Sequence, residues 1–170
     1  MTYYYRYLTA GSIATKALLD DRELLSVTKT ANQSVTSSTV NVADNHLTLP
    51  VAANAIYHVS VVVIVSGAQA ADWKQQWTFP AGATGQRFTH GPETPTTTVR
   101  ATKIQTRSAT IATSLGYGTD GSENSLIREE IWLTTAGTAG SFALTWSQLV
   151  ANATATTVRA GSWMTAQRVV

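Results

Sequence analysis

The three histidines are the side chains best suited to acid–base or metal chemistry, and their spacing argues against both. His46, His58 and His90 are scattered along the chain, and no two stand at a spacing that puts both imidazoles on one metal. Zero cysteines remove disulfides and Cys-based zinc sites. No Gly-x-Ser-x-Gly elbow and no phosphate-binding Gly-rich loop is present. Glu129 and Glu130 are adjacent, so on a strand they point to opposite faces and do not form a catalytic pair. Asp120-Gly121-Ser122-Glu123-Asn124 offers oxygen ligands but not the regular spacing of a calcium loop, and reads as a polar loop. Asp20-Asp21-Arg22-Glu23 reads as helix-end charge. Asn32-Gln33-Ser34 and Asn152-Ala153-Thr154 match a glycosylation sequon, a pattern too short to carry weight. These residues predict a non-enzymatic protein with no cofactor and no metal. Aromatic residues are the remaining candidates: Trp73, Trp132 and Trp163, with Tyr57 and His58, as an interface between subunits or a platform for a ligand such as a host surface glycan.

What positions these residues is a set of short strands. The chain has 170 residues, 13% of them charged, with a net charge of +2. That is one domain of ordinary size with no basic stripe, which argues against nucleic acid as a partner. The longest apolar run, 59–65, is far too short to cross a membrane as a helix and reads as a strand buried on both faces. The start, MTYYYRYLTAGS, lacks a basic segment followed by an apolar run, so no targeting segment is expected there.

Residues 1–25 differ from the rest. Tyr3, Tyr4, Tyr5 and Tyr7 crowd the start, and Ile13, Ala17, Leu18, Leu24 and Leu25 approach helical spacing. This segment reads either as a short helix packed on its own domain or as a docking arm presenting Tyr3, Tyr4, Tyr5, Tyr7, Leu18 and Leu24.

From residue 26 to 170 the pattern is strand and turn. Val27, Lys29 and 35–42 suggest an opening strand pair, and His46-Leu47-Thr48-Leu49 a strand stopped by Pro50. Ala53-Asn54-Ala55 turns into a long strand at 56–66, and Trp73, Gln75, Trp77 and Phe79 share a face of the next. Residues 80–85 and 91–95 read as loops rich in breakers. Strands are expected at 96–104 and 109–115, a long turn at 116–122, and strands at 125–135 and 142–149. On 125–135, Ile127, Glu129, Ile131 and Leu133 oppose Leu126, Arg128, Glu130 and Trp132. Phe142-Leu144-Trp146-Gln148 and Trp163-Thr165-Gln167-Val169 read as a closing hairpin whose last strand lies inside a sheet. Eight to ten short strands predict an all-β sandwich or barrel.

Three segments in this order resemble the C1q/TNF-like jelly-roll modules of bacteriophage and prophage structural genes, particularly those of actinobacterial phages. They are Asn45-His46-Leu47-Thr48-Leu49-Pro50-Val51-Ala52-Ala53-Asn54-Ala55-Ile56-Tyr57, then Trp77-Thr78-Phe79-Pro80-Ala81-Gly82-Ala83-Thr84-Gly85, then Trp146-x-Gln148 with Asn152-Ala153-Thr154-Ala155-Thr156-Thr157-Val158-x-Ala160-Gly161-Ser162-Trp163. The resemblance covers about residues 26–170. It implies a jelly-roll sandwich, a homotrimer, and a place in the virion as a capsid decoration, minor tail or fibre-head protein. The major capsid protein or another virion protein is then the expected partner of the arm, and neither a membrane nor nucleic acid is.

Overall fold

The structure, a computed structural model, describes residues 24–94, 103–121 and 123–169. The described residues are all-β. They form twelve strands: β1 (Leu24–Thr28), β2 (Gln33–Val35), β3 (Val42–Val51), β4 (Ile56–Ser66), β5 (Trp73–Thr78), β6 (Thr84–Pro92), β7 (Ile104–Thr110), β8 (Leu115–Tyr117), β9 (Ser125–Thr134), β10 (Gly140–Gln148), β11 (Thr156–Val158) and β12 (Trp163–Arg168). The large sheet runs β1-β12-β4-β9-β6-β7, with β11 and β2 attached beside β4, and the small sheet runs β3-β10-β5-β8.

Setting aside β2, β11 and the β6–β7 hairpin leaves eight strands. They pair first with last, second with seventh, third with sixth and fourth with fifth: β1–β12, β3–β10, β4–β9 and β5–β8, all antiparallel. A long nested hairpin rolled into two layers is a jelly roll. The β6–β7 hairpin is inserted between β5 and β8 and widens the large sheet beyond β9.

Period-2 alternation builds the core. Tyr57, Val59, Val61, Val63 and Val65 on β4, and Ile127, Ile131 and Leu133 on β9, meet Trp73 and Trp77 on β5 and Phe142, Leu144 and Trp146 on β10. Trp77 stacks on Phe142 with ring centroids 4.5 Å apart and planes 12° apart. Truncating such a buried aromatic to Ala typically costs about 3–5 kcal/mol.

Several boundaries differ from the sequence reading. β4 is not buried on both faces: Ser60, Val62 and Ile64 point outward and are half-buried, screened by cross-strand neighbours such as Trp163 and Leu126. β3 continues through Pro50, which an edge strand tolerates because an N–H facing away from the ladder is not missed. β6 spans residues expected to be loop. Its glycines mark close approaches rather than turns: a Cβ on Gly91 would sit 2.6 Å from Tyr117 Cδ1, and one on Gly85 would strike the Trp132 carbonyl. β7 crosses the expected gap between two strands, and the expected turn at 116–122 begins inside β8.

The closing segments do not pair as a hairpin. β10 lies in the small sheet, β12 lies in the large one, and β11 marks the crossing. β12 is nonetheless interior, between β1 and β4, as the sequence led us to expect. The boundary expected between residues 25 and 26 falls inside β1, where Leu24 pairs with Gln167 and Leu25 with Ala166. Tyr3, Tyr4, Tyr5, Tyr7, Leu18 and the expected helix lie outside the described residues. Asn54 turns β3 into β4 with φ of 51°, a left-handed conformation that Asn tolerates, and its N–H donates to Ala136 O at 2.8 Å.

Candidate functional site: the outward face of the large sheet

Strand parity sorts the aromatic candidates into two groups. Trp73 and Tyr57 point inward and are 0% and 4% exposed, so neither is a platform; Tyr57 OH accepts from Ala52 N at 2.9 Å. His58, Trp132 and Trp163 all project outward from the large sheet, and so does Leu24. Antiparallel register sets them in transverse rows: Leu24–Gln167–His58–Trp132–Gln86 in one, Ser26–Thr165–Ser60–Glu130–Phe88 in the next, and Thr28–Trp163–Val62–Arg128–His90 in the third.

This face carries much of the exposed apolar surface. Among the described residues eight large hydrophobics are strongly exposed, and five of them lie here: Leu24, Phe88, Ile104, Leu126 and Trp132. The small sheet turns outward Thr48, Pro50, Lys74, Gln76, Thr78, Ala143 and Thr145, with no large apolar side chain among them. One side of the sandwich is therefore finished for water and the other is not. An apolar patch rimmed by polar groups marks an interaction surface.

An ionic group sits within the apolar face. Glu130 Oε1 accepts from Arg128 Nε at 3.1 Å, Arg128 Nη2 at 3.0 Å and Ser60 Oγ at 3.0 Å. Its Oε2 lies 3.2 Å from His58 Nε2, and the imidazole leans on Trp132 with ring centroids 5.1 Å apart. A His–carboxylate pair can orient a general base. Here the neighbouring hydroxyl, Ser60, donates to Glu130 rather than to the imidazole, so no activated nucleophile results. Beyond Arg128 the face ends in an open depression of about 590 Å³ lined by His90, Pro92, Ile104, Asp120, Leu126 and Arg128. Among the described residues no cluster of three or more His, Asp or Glu is placed to hold a metal ion.

Two buried ionic groups were missed from the sequence as sites. Glu129 is 1% exposed. It accepts from Trp77 Nε1 at 2.8 Å, Tyr117 OH at 3.0 Å and Gln75 Nε2, and Arg87 Nη1 lies 3.4 Å from both its oxygens. The signal was its parity with Ile127 and Ile131, which marks an acid in a core row. The second group is Lys29–Asp44, 2.9 Å apart with both side chains wholly buried. Gln148 staples two loops at one end of the sandwich: its Oε1 accepts from Ser38 N and Asn152 N, and its Nε2 donates to Thr154 O.

Burial pushes the Tyr117 hydroxyl well above the usual phenol range, and the adjacent Glu129 charge adds to the shift. A raised folded-state pKa leaves stability intact below the unfolded value of about 10 and removes it as pH rises past that point. The protein should therefore lose stability progressively above about pH 10, and Tyr117→Phe should lose less over the same interval. Urea midpoints at about pH 9 and pH 11 measure this, and an equal alkaline loss in both proteins would contradict it.

No protein-family model matches the chain. No curated protein matches it either. Among solved structures it is similar to the tripod (BppUct-A-L) from the baseplate of bacteriophage Tuc2009, at 13% identity and a TM-score of 0.36, over 99% of this chain and 76% of that one. It is also similar to the infectious bursal disease virus Gt strain structure, at 13% identity and a TM-score of 0.22, over 88% of this chain and 41% of that one. A third likeness is to the VP2 subviral particle of infectious bursal disease virus, at 10% identity and a TM-score of 0.22, over 89% of this chain and 38% of that one. All three likenesses are distant, and no functional argument rests on them.

Proposed function

We propose that this chain is a non-enzymatic structural protein of a phage particle, a homotrimeric jelly roll attached to the capsid shell as a decoration protein. The virion setting comes from the motif resemblance at residues 45–57, 77–85 and 146–163. The observation that carries assembly is the contrast between the two outward faces, one apolar and aromatic, the other small and polar. Six strands spaced about 4.8 Å apart and some seven residues deep present roughly 500 Å² of flat area per copy. Three such faces turned toward a three-fold axis bring together about 1,500 Å². The segment preceding β1, with Tyr3, Tyr4, Tyr5, Tyr7 and Leu18, is assigned to docking on the major capsid protein, while Leu24 belongs to the large-sheet face.

Trp132→Glu places a charge at the middle of the proposed contact. It should convert a trimer at micromolar concentration to a folded monomer, read as solution mass with an unchanged β-sheet spectrum. A wild-type protein that is monomeric at that concentration would sink the trimer. Particles stripped of the protein that keep full heat resistance would sink the decoration role.

A tail-tip receptor or carbohydrate-binding role is the second reading. It is favoured by one observation: Trp132 is 47% exposed and shares its row with Gln86, His58 and Gln167, an aromatic shelf flanked by hydrogen-bonding groups. Binding to a glycan array that Trp132→Ala abolishes is its test, and an array with no hits counts against it.

A further inference from the structure

We infer that the ionic group within the large-sheet face makes assembly acid-sensitive, holding copies together near neutral pH and releasing them as His58 takes up a proton. The inference rests on the reading that copies meet over this face. With a neutral imidazole, the charges of Arg128 and Glu130 cancel. Every bond to the carboxylate comes from within the chain, from Arg128, Ser60 and His58. The carboxylate is thus bonded within its own chain before a partner arrives, and the Arg128–Glu130 pair carries no net charge into the contact.

Protonating His58 changes that balance. The groups facing it are Glu130 and Trp132 from β9, Gln167 from β12, and Ile56 and Ser60 on its own strand. Of these only Glu130 is charged, and Arg128 already balances it. Arg168, next to Gln167 on β12 and paired with Tyr57, has the opposite strand parity; on this face the other charged groups are farther off, His90 beyond Arg128, with Asp120 and Glu123 in the terminal depression, and Arg159 bonded to Ser66 at the other end of β4. The added proton therefore leaves each copy with one uncompensated positive charge at the contact. Symmetry repeats it in every subunit, so like charge is pressed on like. The free chain then binds more protons than the assembled one, and acid favours dissociation.

Sedimentation of the intact chain at about pH 7.5 and about pH 5.5 tests this. The wild type should dissociate about tenfold or more readily at the lower pH while keeping its β-sheet spectrum. His58→Gln, which keeps a donor for Glu130 but cannot gain a charge, should assemble equally at both. Equal wild-type assembly at both pH values overturns the switch, as does acid dissociation shared by His58→Gln or accompanied by unfolding. A wild type that is monomeric at both overturns the interface reading and the switch with it.

Discussion

Glu129→Leu should destabilise the fold by about 3–5 kcal/mol, a large fraction of the 5–15 kcal/mol that holds an ordinary domain together. Glu129 and Arg87 are 1% and 0% exposed, so removing the carboxylate leaves a guanidinium in the core with the Thr113 carbonyl as its other hydrogen-bond partner. Trp77 Nε1, Tyr117 OH and Gln75 Nε2 lose their acceptor at the same stroke. Each stranded donor costs about 1–3 kcal/mol, though in one network such costs do not add. Glu129→Gln should fare little better, because it keeps the shape and removes the charge that Arg87 requires. Pairing Glu129→Leu with Arg87→Met should recover much of the loss, since a buried ion pair exchanged whole for apolar side chains is often nearly neutral. Urea midpoints at unchanged slope measure all three variants. A Glu129→Leu protein within about 0.5 kcal/mol of wild type would show that the group contributes nothing.

What the sequence made legible was local and periodic. Alternation put Phe142, Leu144 and Trp146 on one face and Ile127, Glu129, Ile131 and Leu133 on another, and both rows point inward. The Ala53-Asn54-Ala55 turn was equally plain, because Asn relieves a left-handed residue. What stayed hidden was set by contacts distant in sequence. Gly85, Gly91 and Pro92 look like breakers, yet the glycines are small because Trp132 and Tyr117 crowd them from other strands. The jelly-roll order itself is a list of such pairings, β1 with β12 and β3 with β10, which no window of residues contains. The same holds for the outward face: parity could group Trp132 with Arg128 and Glu130, but only register brings His58 and Trp163 to the same surface.

The two buried ionic groups share a placement. Glu129 on β9 and Arg87 on β6 belong to the large sheet, and Gln75, Trp77 and Tyr117 to the small one. Lys29 follows β1 of the large sheet, and Asp44 lies on β3 of the small one. Hydrophobic burial drives the layers together without direction, whereas bonds to a carboxylate demand one geometry. We expect these crossings to hold the register of one layer on the other. The β6–β7 hairpin is tied in by the same means: Arg87 reaches Thr113 O, and the Arg107 guanidinium lies 5.5 Å from the Tyr117 ring centre.

Asp44→Ala should cost a similar 3–5 kcal/mol, but its effect should first appear in one corner of the sandwich. Along the β3–β10 ladder, Thr48 pairs with Ala143 and Ala43 with Thr145, so residues 44–47 bulge opposite Leu144 alone. A bulge leaves ladder donors unpaired. The Asp44 carboxylate takes two of them, His46 N and Leu47 N, each at 2.9 Å, while holding Lys29 Nζ at 2.9 and 3.0 Å. Lys29 in turn fixes the end of β1, donating its N–H to Ser162 O at 2.7 Å and accepting from Gly161 N at 2.8 Å. Without Asp44 the bulge loses its cap and a buried ammonium keeps only Gln33 Oε1, at 3.3 Å. Faster hydrogen exchange should therefore begin in β1, β3 and the turn at 161–162, with β4 and β9 following only at the global limit. Lys29→Met should be milder, because the carboxylate it leaves without an ion partner still accepts from His46 N and Leu47 N and keeps the cap on the bulge. Uniform acceleration across all strands in Asp44→Ala would mean that the pair supports the whole core rather than the seam between β1 and β3.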